Sequence, residues 1–393
     1  MYASSDSREL AVVMAGTSWD GIWMPERHIA LQLARRLPVL WVDPPISYLS
    51  PLRDPTARQA LREERLREVS PNVTRLSPVT VPGVSRPLLR EIAARQTRRA
   101  VRRAVAELGS PVHCTIVASP ADMLDVVPSP RRVLYGTDDF VAGAGLTGTG
   151  SSWLQRGTRR QLADADLVVV SSPALREKWL PSRPDIEVVP NGCDAARFAA
   201  AELARAPADI ELPAPIAGFA GHMSERIDLA MLEAVAATGV SLLLVGPRQP
   251  SFEISRLDRL LALPNVQWVG PKPFDQMPAY MGAIDVGLTP YVRSDFNHSS
   301  FPLKTLEYLA AGLPTVASDL PAHRWLGTEH VTIVQEPEEF AAAVQVLLRT
   351  PRSRSEASAR RAFAARHSWE SRGTELARLL DLAALHPSPA PIP

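Results

Sequence analysis

Short, unbroken apolar runs alternate along this chain with longer segments of helical period. The runs do not alternate apolar with polar residues, which is typical of strands buried on both faces of a sheet. In the first half, the runs lie at 10–15, 38–43, 112–118, 131–136, 166–171 and 186–190. In the second half, they lie at 215–221, 240–246, 265–270, 284–290, 314–318 and 331–334. Such strands, each followed by a helix, predict an α/β fold with doubly wound parallel sheets.

The segment at 190–214 interrupts this alternation. It opens with Pro-Asn-Gly, a turn signal, and ends in a Pro-flanked stretch before the next strand run. A chain of 393 residues is expected to form about two domains. We predict an N-terminal domain at 1–192, a linker at 193–214 and a C-terminal domain at 215–366. Ligands of open α/β sheets bind beyond the carboxyl ends of the strands, so functional residues are expected in the loops there.

Charge and cysteine content weigh against several classes of protein. Lys and Arg number 43 and Asp and Glu 42, so the chain lacks the basic excess typical of nucleic-acid binding. The Arg-rich stretch at 86–103 is expected to be the solvated face of a helix. Cys114 and Cys193 are too few for a disulfide framework. Neither a leader pattern nor an apolar run of about 20 residues occurs, so we expect a cytoplasmic protein without a transmembrane segment. Peripheral contact with a membrane stays open.

The stretch SSFPLKTLEYLAAGLPTVAS places a cation and an anion near the start of a short helix. Pro302 suits the first turn, where its missing N–H costs nothing. Ser299 or Ser300 is expected to cap the helix. A glycine suits the position just past the last turn, so we predict a helix over 302–311, followed at once by a strand.

This helix start follows the strand run at 284–290, which places it at the carboxyl edge of a sheet. Free backbone N–H groups and the helix dipole there favour an anion such as phosphate. Lys304 adds a full positive charge, and Glu307 lies on the same face. A carboxylate beside a phosphate needs another task, such as accepting hydrogen bonds from sugar hydroxyls. The pair therefore predicts a nucleoside-diphosphate site. The alternative is a surface ion pair worth a few tenths of a kcal/mol.

The segment PLKTLEYLAAGLPTVAS resembles the donor-site helix of GT-B glycosyltransferases, close to glycosyltransferase family 4 (group 1). Four further segments resemble parts of that family in the same order, at 165–179, 188–198, 265–291 and 367–373. The resemblance implies two Rossmann-like domains that face each other across a cleft. It also implies a helix at 367–386 that crosses back to the N-terminal domain, before a tail at 387–393 that we expect to be disordered.

The resemblance implies a role for each residue that matches the family pattern. Glu307 would bind the donor ribose, and Lys304 would neutralise the diphosphate. Backbone groups would bind the pyrophosphate at Ser300, Phe301 and Leu303, and the base at Pro271 and Lys272. No metal ion and no cofactor are implied, and the nucleoside-diphosphate-sugar is a co-substrate.

The segment GHMSERID departs from the family pattern. Many members carry an Arg and a Lys after the first strand of the C-terminal domain, and both grip the diphosphate. Here His222 stands at the Arg position, and Ile227 or Asp228 stands near the Lys position. Arg226 is a candidate substitute.

Other side chains are expected to supply the missing charge. We expect Lys304 to carry most of it, helped by Arg293 or His298. Ser299 stands where many retaining members have an acidic residue. The stereochemical course therefore stays open.

Two loops of the N-terminal domain carry the candidate residues on the acceptor side. Gly16 permits a close backbone approach, and Asp20 is a candidate catalytic residue that contacts the sugar or the acceptor. Asp138 and Asp139 follow a strand at the place where related retaining enzymes have a His. They are candidates either for a general base or for a helix cap. The region at 44–100 has weak strand signal, and we expect helices and loops on the acceptor side there.

Sugar transfer to a cell-surface glycan or a secondary metabolite is the predicted function, and three alternatives stay open. A nicotinamide oxidoreductase would use Asp43, after the second strand, to bind ribose, but AGTSWDG lacks the G-x-G-x-x-G fingerprint. A sugar-nucleotide epimerase would share the GT-B fold. A partner subunit that binds sugar nucleotides without catalysis would explain the missing Arg and Lys.

Overall fold

The computed structural model describes residues 9–50, 61, 63–82, 86–351 and 353–382. The predicted tail at 387–393 lies outside these residues. The chain folds into two compact units. The first contains the chain up to Ser171, Leu175–Val189 and the chain from Arg372 onward, and the second contains Ser172–Ala174 and Pro190–Ser371.

The strands and helices of the described residues are numbered in chain order. The strands are β1 Leu10–Met14, β2 Val39–Val42, β3 Ile46–Ser47, β4 Leu66–Ser70, β5 Val73–Leu76, β6 Val79–Thr80, β7 Val112–Val117, β8 Arg132–Gly136, β9 Leu167–Val170, β10 Ile186–Val188, β11 Ile216–Ala220, β12 Ser241–Val245, β13 Val266–Trp268, β14 Val286–Thr289, β15 Thr315–Ser318 and β16 Val331–Val334. The α-helices are α1 Pro25–Ala34, α2 Pro87–Leu108, α3 Ala144–Thr147, α4 Ser151–Asp164, α5 Pro173–Trp179, α6 Ala195–Ala199, α7 Leu229–Ala237, α8 Ile254–Leu261, α9 Met277–Ala283, α10 Asp295–Ser299, α11 Leu303–Ala310, α12 Pro321–Leu326, α13 Pro337–Arg349, α14 Arg354–Arg366 and α15 Trp369–Leu379. Within the described residues, no helix combines the length and hydropathy that a bilayer-spanning segment requires.

The first unit is built on a sheet of eight strands in the order β10–β9–β8–β7–β1–β2–β5–β4. Its neighbours pair in parallel except at the edge, where β4 runs antiparallel to β5. Strands β1 and β2 are buried along their whole length, as their unbroken apolar sequences predict. A separate two-stranded sheet pairs β3 with β6.

Strands β4 and β5 lie in the region at 44–100, where we expected only helices and loops, and that expectation is wrong for these strands. The sequence of β5 includes Arg75, which is only 3% exposed. Its guanidinium donates from Nε to Asp43 Oδ2 at 2.6 Å, so the buried charge has a partner. An inward-facing Arg breaks the apolar run, and its partner lies 32 residues away. The pattern of β5 therefore did not indicate a buried strand.

The second unit is built on a fully parallel sheet of six strands in the order β13–β12–β11–β14–β15–β16. This arrangement confirms the predicted α/β class. Chain order reverses between β11 and β14, so the loops at 221–228 and 290–302 start side by side at the carboxyl edge. In doubly wound sheets, this reversal is where ligands bind.

The side chain of Tyr308 fixes α11 against the sheet at this reversal. It is fully buried, and its hydroxyl accepts a hydrogen bond from Ala220 N, at the end of β11, at 2.7 Å. Its ring lies over Gly287 in β14, where a Cβ atom would be 2.4 Å from the ring. The helix that follows the switch point is thus bonded to one adjacent strand and packed on the other.

We expect Gly287→Ala to lower the free energy of unfolding by about 1–3 kcal/mol, since the added methyl group overpacks the core against Tyr308. Urea-induced unfolding followed by circular dichroism measures this change. Gly145→Ala in α3 is the control, because a Cβ there meets no atom within 4 Å. Similar losses of stability in both variants would contradict the packing argument.

Candidate functional site

Helix α11 begins without a side-chain cap. It starts at Leu303, with Pro302 at the N-cap and no capping hydrogen bond from a side chain. Our prediction that Ser299 or Ser300 caps it is wrong, because both are held by α10. Ser299 is the last residue of α10, and Ser300 Oγ donates back to Phe296 O at 2.9 Å. The first-turn N–H groups of α11 therefore keep their capacity to bind an anion.

Lys304 and Glu307 form an ion pair on the first turns of α11. Lys304 Nζ donates to Glu307 Oε2 at 2.7 Å. The carboxylate side chain is 9% exposed and the lysine side chain 25% exposed, so the lysine is the one more open to solvent. The Glu307 carboxylate is more buried than in an ordinary surface ion pair. Its charge is therefore costly to desolvate, and the charge of Lys304 offsets part of that desolvation cost.

Arg226 is held at the same edge by Asn297, a residue that no sequence pattern had singled out. Arg226 Nε donates to Asn297 Oδ1 at 2.9 Å. Asn297 Nδ2 donates to the carbonyls of Arg226 and Val292, each at 2.9 Å. Asn297 is 1% exposed, and the arginine also lies 4.8 Å from the Phe296 ring. One buried amide thus ties the loop after β11 to the loop after β14.

Other residues predicted to help with the diphosphate have different surroundings. The guanidinium of Arg293 lies 3.4 Å from both Gln335 and Glu336, after β16. His298 is exposed at the end of α10. Burial lowers the pKa of His222, so this residue is neutral at pH 7 and cannot replace the charge of an arginine. Arg226 and Lys304 are therefore the predicted cations best placed at this edge.

The predicted base-binding and pyrophosphate-binding segments are held by nearby side chains. Lys272 Nζ pairs with Asp209 at 2.6 Å, which fixes the loop after β13 beside the exposed Pro271. The ring of Phe301 is buried and packs edge-on against Trp325 at 5.8 Å. Only backbone groups of these residues were predicted to bind the donor, and these side-chain contacts leave that role open.

The buried His323 links α11 to β15 through hydrogen bonds. Thr305 Oγ1 lies 3.0 Å from His323 Nε2, and His323 Nδ1 lies 2.7 Å from the carbonyl of Ser318 in β15. Burial lowers the pKa of His323 to about 4, so the ring is neutral at pH 7. The neutral ring donates from Nδ1 to the carbonyl and accepts the hydroxyl proton of Thr305 at Nε2. No sequence pattern indicated this network, because a histidine in a short helix carries no periodic signal.

Acid should destabilise the second unit through His323. Its pKa is about 4 when folded and about 6.5 when unfolded, so the stability is fully present above pH 6.5 and is lost as the pH falls toward 4. The full loss would be about 3 kcal/mol. We expect His323→Gln to be less stable at pH 7 but to lose less stability between pH 6.5 and pH 4.5. Urea unfolding at several pH values tests this. The exposed His298→Gln variant should follow the wild type, and a parallel slope for both variants would contradict the role of His323.

In the first unit, Asp43 organises the loop after β1. Its Oδ1 accepts from Trp19 N at 2.8 Å and from Trp41 Nε1 at 2.9 Å, and its Oδ2 accepts from Arg75. The carboxylate is 4% exposed. These bonds occupy the carboxylate that a nicotinamide-binding site would need for ribose, so they weigh against the oxidoreductase alternative. The loop also approaches β7 closely, because a Cβ at Gly16 would lie 3.0 Å from Ala118 O.

The three predicted catalytic carboxylates differ in their surroundings. Asp20 forms an ion pair with Arg75 at 2.5 Å and lies 3.8 Å from Arg67. Asp139 is buried, pairs with Lys178 and accepts from Ala142 N at 3.0 Å, as a capping residue does. Asp138 is half-buried after β8. All three remain candidate catalytic residues.

Glu26 is a fourth carboxylate at this edge, and it was not among the candidates predicted from sequence. It is 2% exposed at the start of α1, and it accepts from Thr17 Oγ1 at 3.0 Å. The pKa of Glu26 is raised to about 7, mainly by burial and to a smaller extent by the charge of Asp138. A Glu after a Pro is an ordinary helix start, so no feature of the sequence indicated its burial.

Comparisons with known proteins agree with this arrangement. Residues 214–350 match the family model described as "Glycosyl transferases group 1". TuaH of Bacillus subtilis (strain 168), named as a putative glycosyltransferase of teichuronic acid biosynthesis, is 31% identical over 220 residues, which are 53% of this chain and 55% of the relative. The match thus spans about half the length of that curated relative.

Solved structures show the same fold. Sucrose-phosphate synthase of Thermosynechococcus elongatus matches with a TM-score of 0.72 at 18% identity, over 95% of this chain and 98% of that one. HepE of Anabaena in complex with UDP and glucose matches with a TM-score of 0.63 at 14% identity, over 95% and 99%. These structures confirm the predicted GT-B fold, and the family-model match and the Bacillus relative confirm the resemblance to group 1. The assignment to family 4 stays a prediction.

Proposed function

We propose that this chain, which has the GT-B fold and carries a group 1 glycosyl transferase domain at residues 214–350, transfers a sugar from a nucleoside-diphosphate-sugar to an acceptor. The observation that carries the proposal is the uncapped start of α11 with its Lys304–Glu307 pair, at the strand reversal of the second unit. A helix start, a cation and a partly shielded carboxylate together provide donors for a diphosphate and an acceptor for ribose hydroxyls.

The donor would bind along the carboxyl edge of the second sheet. Backbone groups around Ser300, Phe301 and Leu303 would bind the pyrophosphate, with Lys304 as counter-charge. Glu307 would accept hydrogen bonds from ribose, and the loop at Pro271 and Lys272 would contact the base. HepE is described in complex with UDP and with UDP-glucose, which makes uridine the first base to test.

Catalysis would depend mainly on stabilisation of the leaving group. The acceptor hydroxyl attacks the anomeric carbon, the bond from that carbon to the diphosphate oxygen breaks, and the hydroxyl proton passes to a base. Lys304, Arg226 and the helix start stabilise the charge that develops on the diphosphate. We assign the acceptance of this proton to Asp138, which is half-buried two residues after β8. Asp20 and Asp139 would hold their loops through their ion pairs.

The acceptor would be a cell-surface glycan or its precursor. The name of the Bacillus relative, which refers to teichuronic acid biosynthesis, supports this class over a small secondary metabolite. We place the reaction in the cytoplasm. Both cysteines are buried thiols outside any disulfide, as is usual in a reducing compartment.

Nucleotide binding followed by turnover tests this function. UDP, GDP and dTDP should each be added in a thermal-shift screen with NAD as comparison, and we expect one diphosphate to raise the Tm. Sugar transfer from the matching donor, measured by release of the diphosphate, would separate a transferase from an epimerase or a non-catalytic subunit. Stabilisation by NAD alone would contradict the proposal.

A further inference from the structure

Helix α2 has one buried face and one face rich in arginine. The buried face consists of Ala93, Thr97, Val101 and Ala104, each at most 3% exposed. The other side carries Arg95, Arg98, Arg99, Arg102 and Arg103. Positive and negative residues are nearly equal in number over the whole chain, so this concentration of charge is local. The solvated helix face predicted for 86–103 is thus also the most basic surface of this helix.

The arginines differ in what they contact. Arg98 pairs with Asp125 at 2.9 Å, and Arg102 Nε donates to Val126 O at 2.9 Å. Arg95 lies 3.4 Å from Glu91. In contrast, the side chains of Arg99 and Arg103 make no hydrogen bond or ion pair with any other described residue. Two guanidinium groups one helical turn apart therefore stay available for an external partner.

These two arginines line a groove together with a third. The groove has a volume of about 270 Å³, and Arg65, just before β4, contributes its opposite wall with Ser77–Val79. The side chain of Arg65 likewise has no partner among the described residues. A second groove of about 730 Å³ continues along α2 and shares Arg99 and Arg103. No Asp or Glu is among the described residues that line either groove. Three like charges around one groove favour an anionic occupant.

The smaller groove lies at the carboxyl edge of the first sheet. Ser77 follows β5 directly, and its hydroxyl donates to Asp43 Oδ2 at 2.9 Å. The other oxygen of that carboxylate accepts from Trp19 N, in the loop after β1. Two hydrogen bonds to Asp43 therefore connect the groove to the loop of Gly16 and Asp20, which we assign to the acceptor side.

We propose that the groove of Arg65, Arg99 and Arg103 binds a carboxylate or phosphate group of the sugar acceptor, which is therefore an acidic glycan. A guanidinium group binds either anion through two parallel hydrogen bonds. Residues four apart on a helix are separated by about 6 Å along its axis, so two guanidiniums can bind two anionic groups of one ligand. No aromatic side chain lines either groove within the described residues, which disfavours single-stranded nucleic acid. That the anion belongs to an acceptor rests on the proposed function.

Binding of acidic probes to the full chain tests this site. Short oligoglucuronate supplies carboxylates and inorganic pyrophosphate supplies phosphates, and calorimetric titration at low salt compares the two. Saturating UDP is present in the pyrophosphate titration, so that the donor site assigned to α11 is already occupied. We expect the Arg99→Ala/Arg103→Ala variant to bind the preferred probe about tenfold more weakly or worse. The control is Arg156→Ala/Arg159→Ala, which removes two exposed charges from α4 of the same unit and should bind normally. Both variants should keep the Tm and the UDP affinity of the wild type.

Three results would overturn the proposal. The first is failure of the wild type to bind either probe. The second is an equal loss of probe affinity in the two double variants. The third is binding only to vesicles that contain anionic phospholipid, which would indicate that the groove contacts a membrane surface. Failure of the wild type to bind any nucleoside diphosphate would overturn the proposed function. Nucleoside-diphosphate binding is measured in a separate experiment, and its outcome does not affect the oligoglucuronate titration.

Discussion

Replacing Lys304 with methionine is expected to raise the Kd for UDP by about two orders of magnitude, because the variant loses the counter-charge of the diphosphate. It also leaves the Glu307 carboxylate, 9% exposed, without its ion-pair partner next to the incoming anion. Loss of one member of a shielded charge pair costs about 2–5 kcal/mol in binding. Calorimetric titration of UDP measures the change directly, before any acceptor is known.

Two variants make the result specific to Lys304. Lys304→Arg keeps the positive charge, so its Kd for UDP should lie within about tenfold of the wild-type value, although a planar guanidinium replaces the ammonium group. Lys272→Met removes a lysine that already pairs with Asp209, and we expect a small effect on Kd. The Lys304→Met/Glu307→Gln double variant completes a cycle, in which coupling between the residues should exceed about 0.5 kcal/mol. Unchanged UDP affinity in Lys304→Met would refute the donor site that we assign to α11.

Asp138→Asn is expected to lower kcat by a factor of about 10² to 10⁴, the usual contribution of a general base. The amide has nearly the same shape as the carboxylate but cannot take the acceptor proton. The Kd for the donor should not change, because Asp138 is assigned to the acceptor proton and is not among the residues assigned to donor binding. Diphosphate release in the presence of acceptor, over a range of pH, measures the effect.

Asp20→Asn distinguishes Asp138 from Asp20, the exposed candidate. Asp20 is ion-paired with Arg75, so its loss should disturb the loop after β1 and weaken acceptor binding more than it lowers kcat. A larger fall in kcat for Asp20→Asn than for Asp138→Asn would reverse the assignment. Asp139→Asn is less informative, because it also breaks the ion pair between the buried Asp139 and the more exposed Lys178, and it is expected to destabilise the unit.

Features that depend on neighbours in sequence could be predicted from the chain alone. Unbroken apolar runs indicated the two parallel sheets, because strands buried on both faces exclude polar residues. The spacing of Lys304 and Glu307 indicated a shared helix face, and the ion pair lies there. The helix itself begins one residue later than predicted, at Leu303, because α10 holds the serines that were expected to cap it.

Features that depend on distant partners could not be predicted in this way. Asn297 holds Arg226 across 71 residues, and each residue alone is an ordinary polar loop residue. Arg75 and Asp43 form a buried pair whose members each look like surface residues in the sequence. The burial of Glu26 follows from the loop packed over it, and hydrophobic periodicity carries no information about such a loop.

The packing of Tyr308 on Gly287 has a consequence for how homologous chains diversify. Any side chain at position 287 would collide with the ring, and a smaller residue at position 308 would leave a cavity and free the N–H of Ala220. A substitution at either position alone is therefore destabilising, and we expect the two positions to covary. Because Glu307 precedes the tyrosine in α11, exchanges at this pair would also shift the carboxylate that we propose binds the donor ribose.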